Sequence, residues 1–348
     1  MKKILMMGFT PPEEGGSERH IYEISSRMSD AVVFTQKGSL CRNKIEVSTL
    51  NYGPILRNTS FLFMSLLFAI YLLIAPKKKY ESIHIHENLL YFLAPILRLR
   101  YYVVITIHGI TGFKFYDHKL LWFFFRSSLR CANKVISVSL ADKELLDVEL
   151  KKVEYIPNGV DLSVYELIGE QKIKKEITFV GRIHEQKGVE TLVKAFELVS
   201  KFFPEYTLKI IGKKEGNYYE KLRSKYVNKK IVWKGFILDR EKLFTEIASS
   251  EILVCPSLWE ALPWPGLLEN LGSGRPVIAS SLKGMDKIFR DKKDILLVKP
   301  LDVDALSTAM NFLIKHKNVA SSIGNNGGRR AEDYRWEIIA TKVHRVYK

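Results

Sequence analysis

Short runs of apolar, often β-branched residues alternate with longer stretches of helical periodicity along the whole chain. The runs at 3–7, 31–35, 82–86, 102–108, 134–138 and 153–156 are bounded by turn-forming residues and predict strands. A second series follows at 176–180, 207–211, 231–234, 252–255, 276–279 and 295–298. Helical patterns occupy 18–28, 61–74, 142–150, 188–201, 240–248 and 303–315. Strands without a polar face that alternate with helices predict parallel sheets joined by right-handed crossovers. The two series are separated by 157–175, where Pro157-Asn158-Gly159 gives way to a polar, lysine-rich interval. This predicts an α/β protein of two Rossmann-like, doubly wound domains, with ligand bound at the carboxyl ends of strands in a cleft they share.

A chain of 348 residues, 47% hydrophobic and 26% charged, has the length and balance of two globular domains. Its three cysteines, Cys41, Cys131 and Cys255, are odd in number and far apart. They predict neither a disulfide framework nor a zinc site, and a reducing cytoplasm is the expected compartment. The net charge is +16, and residues 1–140 alone carry 18 Lys/Arg against 9 Asp/Glu. Such a surface attracts phosphates, whether in nucleic acid, anionic lipid or a nucleoside diphosphate. The apolar start of the chain breaks at Pro11-Pro12 and reads as a first strand rather than a signal peptide. The longest apolar stretch, 61–75, falls short of the roughly 20 residues that cross a bilayer, so no transmembrane helix is expected.

Three strand ends carry candidate chemistry. Gly15-Gly16 follows the first strand and opens a helix, where bare backbone amides can approach a phosphate. It is not a full dinucleotide fingerprint, and a plain tight turn explains it equally well. At the second series' first strand end, Gly181-Arg182 and Lys187-Gly188 place two cations in one loop. Two cations there can neutralise a departing diphosphate, although the same spacing is common in solvated surface charge. The third feature runs from Cys255 to Pro276 and holds Glu260 in a Trp/Pro/Gly loop and Glu269 on a short helix. Both carboxylates can accept hydrogen bonds from sugar or ribose hydroxyls, while a carboxylate near a helix start is also simply favoured by the dipole.

Taken in order, these motifs resemble the retaining GT-B glycosyltransferases of family 4, also called glycosyl transferases group 1. The resemblance spans the chain through the Gly15-Gly16 loop, Thr106-Ile-His108-Gly109, Ser137-Val-Ser139 and Ile156-Pro-Asn-Gly-Val-Asp161. It continues through the Gly181–Gly188 loop, the two-glutamate segment and Tyr334-Arg-Trp-Glu-Ile-Ile-Ala. It implies an N-terminal acceptor-binding domain over 1–161, a nucleotide-sugar domain over 162–330, and a final helix, 331–348, returning to the first domain. By that resemblance Arg182 and Lys187 grip the donor diphosphate, Glu269 binds ribose hydroxyls, and Glu260 and His108 face the transferred sugar. Gly16, Gly181, Gly266 and Leu268 complete the donor-binding set. The implied reaction moves a hexose from a nucleoside-diphosphate sugar to an acceptor hydroxyl with retention, without metal, organic cofactor or dedicated protein base. A glycan or lipid-linked acceptor and peripheral contact with the inner face of an anionic membrane are the expected partners, with no nucleic acid. Two departures stand out: eight residues, not the family's usual seven, separate Glu260 from Glu269, and Lys283-Gly-Met-Asp286 replaces a Gly-Gly-x-Pro-Glu pattern.

Alternatives stand beside this reading. An epimerase or phosphorylase could use the same scaffold, and would not require an acceptor alcohol to cleave donor. A basic, non-enzymatic membrane or nucleic-acid binder would show salt-dependent binding indifferent to nucleotide sugars. Asp302-Val-Asp304 spells a metal signature but sits where a helix cap belongs. His84 and His86 share one strand face with no third ligand spaced for a metal. Gly324-Asn-Asn-Gly-Gly328 reads as a turn before the last helix. The segments 61–75 and 113–130, the latter mixing aromatic with basic residues, suit either core helices or an anionic membrane surface.

Overall fold

The computed structural model describes residues 3–12, 16–50, 52–110, 119–150 and 152–347, so Gly15 and residues 113–118 lie outside the described residues. Two compact units result: the chain up to Gly159 together with the segment from Trp336 onward, and Val160–Arg335.

The first unit is built on seven strands: β1 (Ile4–Met7), β2 (Ala31–Gln36), β3 (Lys44–Val47), β4 (Ser82–Ile85), β5 (Tyr102–Ile107), β6 (Lys134–Ser137) and β7 (Val153–Tyr155). Their order is β3-β2-β1-β4-β5-β6-β7, and every neighbouring pair is parallel. The second unit has β8 (Lys174–Val180), β9 (Thr207–Ile211), β10 (Ile231–Gly235), β11 (Ser250–Cys255), β12 (Val277–Ser280) and β13 (Leu296–Val298), ordered β10-β9-β8-β11-β12-β13 and again parallel throughout. β1 and β4 are buried at every position, as strands covered by helices on both faces must be. In each sheet the chain winds outward in one direction and then the other. The reversals fall between β1 and β4 and between β8 and β11, where a doubly wound sheet opens a crevice at its carboxyl edge.

β3 escaped the sequence pattern because Lys-Ile-Glu-Val alternates polar and apolar residues on an edge strand with no fully buried position. The apolar stretch beginning at Phe61 belongs to a longer helix, Pro54–Ile74, initiated by proline in its first turn. At 21 residues it is long and apolar enough to cross a membrane, which corrects the expectation that no segment is. Its buried stripe, Phe61, Ser65, Ala69 and Leu72, holds it on the sheet, with Phe68 stacked 4.5 Å from Phe34 and Phe61 4.3 Å from Phe9. Arg100 Nη1 donates to the Leu72 and Leu73 carbonyls and Tyr101 Oη to Leu72, satisfying the helix's last turn.

The glycine-rich run 324–328 is not a turn. It lies inside the helix Lys317–Glu332, although each glycine costs a helix roughly 1 kcal/mol relative to alanine. Packing explains the choice. A Cβ on Gly324 would sit 2.2 Å from the Gly274 carbonyl oxygen, and one on Gly327 would sit 2.7 Å from that of Asp294. Close backbone approach outweighs local propensity. The following helix, Trp336–Arg345, buries Trp336, Ile339 and Val343 in the first unit's core beside Met6, Ile21 and Ile136. Gly159 admits that indole: a Cβ there would stand 2.5 Å from Trp336 Cδ2. All three cysteines are free, Cys41 and Cys255 buried and Cys131 half-buried. Asp302 caps its helix through the Ala305 amide at 2.8 Å.

Gly324→Ala is expected to destabilise the protein by about 2 kcal/mol through overpacking, read as a lower midpoint in thermal unfolding. An unchanged midpoint would mean that the two backbone segments separate freely.

Candidate functional site

In the second unit the candidate residues gather at the β8/β11 reversal. β8 ends at Val180, and the chain passes through Gly181 and Arg182 into a single 3-10 turn, Glu185–Lys187. Gly188 then adopts φ +66°, and a Cβ there would lie 2.0 Å from the Pro256 carbonyl oxygen. Only glycine accommodates both constraints. The segment after β11 is thereby drawn against the turn: the Leu258 amide donates to the Gln186 carbonyl at 2.7 Å, and Gln186 Nε2 donates to the Trp259 carbonyl at 2.9 Å. Lys187 Nζ bonds Glu260 Oε1 in a pair whose side chains are only 14% and 9% exposed.

Arg182, about half exposed, directs Nη1 to Glu215 (3.1 and 3.3 Å) and Nη2 to Gln186 Oε1 (3.2 Å). An exposed pair of this kind is worth little, so the guanidinium fork can exchange Glu215 for a ligand phosphate. The helix Pro265–Gly272 places Gly266 and Leu268 in its first turn and Glu269 on the next. Leu268 is buried, and its amide, like that of Leu267, points to the Trp264 carbonyl (3.3 and 3.1 Å). Tyr165 Oη donates to the Glu269 carbonyl at 2.7 Å, and Gly272 lies so close to Leu162 that a Cβ would meet its Cδ2 at 2.3 Å. Asn270 donates to Cys255 Sγ at 3.1 Å, and burial pushes that thiol up to about 12. Sequence reading assigned no role to Gln186 or Glu215, which orient Arg182 without belonging to any recognisable spacing.

In the first unit four separate motifs meet at the β1/β4 reversal. His86 follows β4, His108 follows β5, and His20 comes from the helix Gly16–Ser26, which Gly16 opens. His86 Nδ1 and His108 Nε2 are 3.2 Å apart, His20 Nδ1 is 2.9 Å from Asn158 Oδ1, and His84 lies between Thr106 Oγ1 (2.6 Å) and Tyr347 Oη (2.5 Å). His20, His86 and His108 have ring nitrogens within 4.8 Å of one another, the one grouping among the described residues spaced to hold a metal ion. The grouping takes only His86 from the strand-face pair, while His84 is bonded on both ring nitrogens and His20 and His108 come from distant sequence. His20 Nε2, His86 Nε2, His108 Nδ1 and Glu87 Oε1 are buried without a hydrogen-bond partner among the described residues. Buried polar atoms of this kind are completed by water or ligand.

Burial sets the charge of this cluster. It lowers His20 from 6.5 to about 4 against the opposing Asn158 hydrogen bond, and holds His84, His86 and His108 well below the usual histidine range, with the neighbouring rings of His20, His84 and His108 adding to the effect. Burial raises the Glu87 carboxyl to about 7, with the Glu18 charge adding to the effect. Between pH 4 and 6.5 the unfolded state therefore binds more protons at His20 than the native state, and stability present above pH 6.5 is lost as pH falls. Glu87 acts oppositely, its contribution being full below pH 4.5 and lost through pH 7. With four histidines against one carboxyl, unfolding free energy measured in urea is expected to fall on acidification from pH 7 to 5. A profile flat or rising toward pH 5 would show that the rings are solvated and charged.

Residues 167–330 match the family Glycosyl transferases group 1, and residues 14–164 match Glycosyltransferase Family 4. An uncharacterized glycosyltransferase of Methanocaldococcus jannaschii is 28% identical over 301 residues, covering 78% of this chain and 75% of its own. The UDP-Gal:alpha-D-GlcNAc-diphosphoundecaprenol alpha-1,3-galactosyltransferase of Escherichia coli is 26% identical, covering 67% and 66%. Among solved structures, sucrose-phosphate synthase from Thermosynechococcus elongatus superposes with TM-score 0.80 at 22% identity over 100% of this chain and 98% of that one. Anabaena HepE in complex with UDP does so with TM-score 0.79 at 16% identity over 99% of each. The two family matches, which together span both units, place the chain among the glycosyltransferases of the group 1, family 4 kind, and the paired parallel sheets give it their GT-B fold.

Proposed function

We propose that the protein transfers a hexose from a nucleoside-diphosphate sugar to a hydroxyl of a glycan or lipid-linked acceptor, with retention and without a metal. The observation that carries this reading is the cation arrangement at the β8 end, where Lys187 is fixed against Glu260 while Arg182 holds only exchangeable partners. Structures of HepE with UDP and with UDP-glucose belong to the same fold, which supports a nucleotide-sugar donor. In the proposed step the two cations stabilise charge as the C1–O bond to the diphosphate breaks. The acceptor oxygen forms the new bond to C1 on the face the diphosphate leaves, and its proton passes to a diphosphate oxygen. Glu269 receives the ribose hydroxyls, the turn containing Gly266 and Leu268 and the Gly181 and Gly16 backbones approach the phosphates, and Glu260 and His108 face the sugar.

The first unit supplies the acceptor side. Its imidazole nitrogens without partners among the described residues, and the Glu87 carboxyl raised to about 7, suit hydroxyl groups, which both donate and accept. The expected setting is the cytoplasm, at the inner face of the membrane.

Arg182→Ala is expected to reduce kcat/KM by about 100-fold, the scale of losing one transition-state donor, with little change in thermal midpoint because its ion pair is exposed. Lys187→Ala strands a nearly buried Glu260, so Lys187→Ala/Glu260→Gln is the matched control for folding. Unchanged turnover in folded Arg182→Ala would remove the mechanism. In parallel, UDP, GDP or ADP added with EDTA is expected to raise the melting temperature, by about 2.7 kcal/mol of stabilisation at a hundredfold excess over Kd. Absence of any shift, or a shift that requires divalent metal, would overturn the metal-free donor site.

A further inference from the structure

The helix Pro54–Ile74 turns only one stripe toward the sheet. The other stripe repeats at helical spacing through Ile55, Phe63, Leu67, Ile70 and Ile74, all exposed. Beside it pack the 3-10 turn Asn88–Leu93 and the helix Ala94–Leu97, which in turn contact the helix Lys119–Cys131. These neighbours extend the apolar face with Phe92, Ile96 and Leu99 and then with Leu120, Phe123 and Phe124. Phe63 and Phe123 are 59% and 60% exposed, more than half of each side chain facing solvent. Exposed apolar area gathered on adjoining elements, rather than scattered singly, marks an interaction surface.

The charge on that face is predominantly basic, with Glu81, which pairs with Lys78 at 3.8 Å, lying just beyond the three lysines. Segments 52–80, 88–110 and 119–141 contain no aspartate or glutamate. They carry Lys77, Lys78 and Lys79 immediately after the long helix, exposed Arg98 beyond the turn, and exposed Lys119 and Arg130 at the two ends of the Lys119–Cys131 helix. A protein partner with an apolar face would be served by charges of either sign. A run of three separate elements without a carboxylate, bordered by cations, complements an anionic sheet. An apolar stripe with basic flanks on a helix fixed to its own domain by the opposite stripe suits lying in a bilayer interface. It does not suit crossing the bilayer, because Phe61, Ser65, Ala69 and Leu72 would have to leave the core.

We infer that the surface formed by the helix Pro54–Ile74, the 88–97 segment and the helix Lys119–Cys131 docks the first unit onto an anionic lipid bilayer, with the apolar stripes in the acyl boundary and the lysines among the headgroups. The inference stands on exposure and charge alone and does not depend on the transferase reading.

Flotation of the full chain with vesicles of phosphatidylcholine containing about one-third phosphatidylglycerol tests it. The protein is expected to float with these vesicles at low salt, and to bind at least about tenfold less to pure phosphatidylcholine or in 0.5 M salt. Phe63→Glu/Leu67→Glu/Ile70→Glu is expected to abolish flotation, and Lys77→Glu/Lys78→Glu/Lys79→Glu to weaken it about tenfold or more. Both sets of side chains face solvent, so circular dichroism and nucleoside-diphosphate thermal shifts should match the parent. Flotation that is absent, indifferent to lipid charge, or unaltered in both folded variants overturns the proposal. Sedimentation showing a dimer that the apolar variant dissolves, without vesicle binding, would assign the face to a second copy of the chain instead.

Discussion

The contact on which the cluster at the end of β8 depends contains no side chain. Gly188 turns through a left-handed conformation with its α-carbon against the Pro256 carbonyl, and that approach joins the loop after β8 to the loop after β11. Everything chemical there is downstream of it. The Leu258 and Trp259 backbone bonds to Gln186 form across the same junction, and they place Lys187 beside Glu260. A lysine held by a carboxylate loses its freedom before a ligand arrives, so less order remains to be imposed on binding. Arg182 is left with exposed, weaker partners. The loop thus contains one fixed and one adaptable cation within a few residues.

The first unit solves a different problem at the equivalent place in its sheet. Four histidines and a glutamate sit at the β1/β4 reversal, where burial keeps the four rings uncharged near neutral pH and raises the Glu87 carboxyl to about 7. A cluster so close would be untenable if protonated, because like charges would meet in a medium that screens them poorly. Neutral rings can both donate and accept, and several of their atoms have no hydrogen-bond partner among the described residues. The cluster is anchored through Asn158 to the chain just before the second unit, and through Tyr347 to the end of the returning segment. The two reversals consequently differ in character, cationic in one sheet and neutral-polar in the other.

Much of the architecture was legible because buried parallel strands write an unambiguous apolar pattern, and strand ends are where motif residues fall. Arg182, Lys187, Glu260 and Glu269 were readable as a group only through their order along the chain, since each spacing alone is ordinary. What stayed hidden were effects of tertiary contact. β3 carries an edge strand's mixed pattern. The 324–328 glycines mimic a turn until the backbone of 274–276 is seen against them. The histidine cluster is assembled from residues up to 88 positions apart, His20 to His108, and no spacing rule spans that distance. Gln186 and Glu215 do their work through pairing geometry, which a string of letters does not contain.

The unequal burial of the three thiols has a practical meaning for spectroscopy. Cys41 and Cys255 are enclosed, and the Cys255 thiol, shifted to about 12, supplies almost no thiolate at neutral pH. Cys131 alone retains access to solvent, at the carboxyl end of the Lys119–Cys131 helix. The unaltered chain is therefore suited to attachment of a single fluorophore or spin label, one that reports from beside the aromatic, carboxylate-free face without engineering a new cysteine.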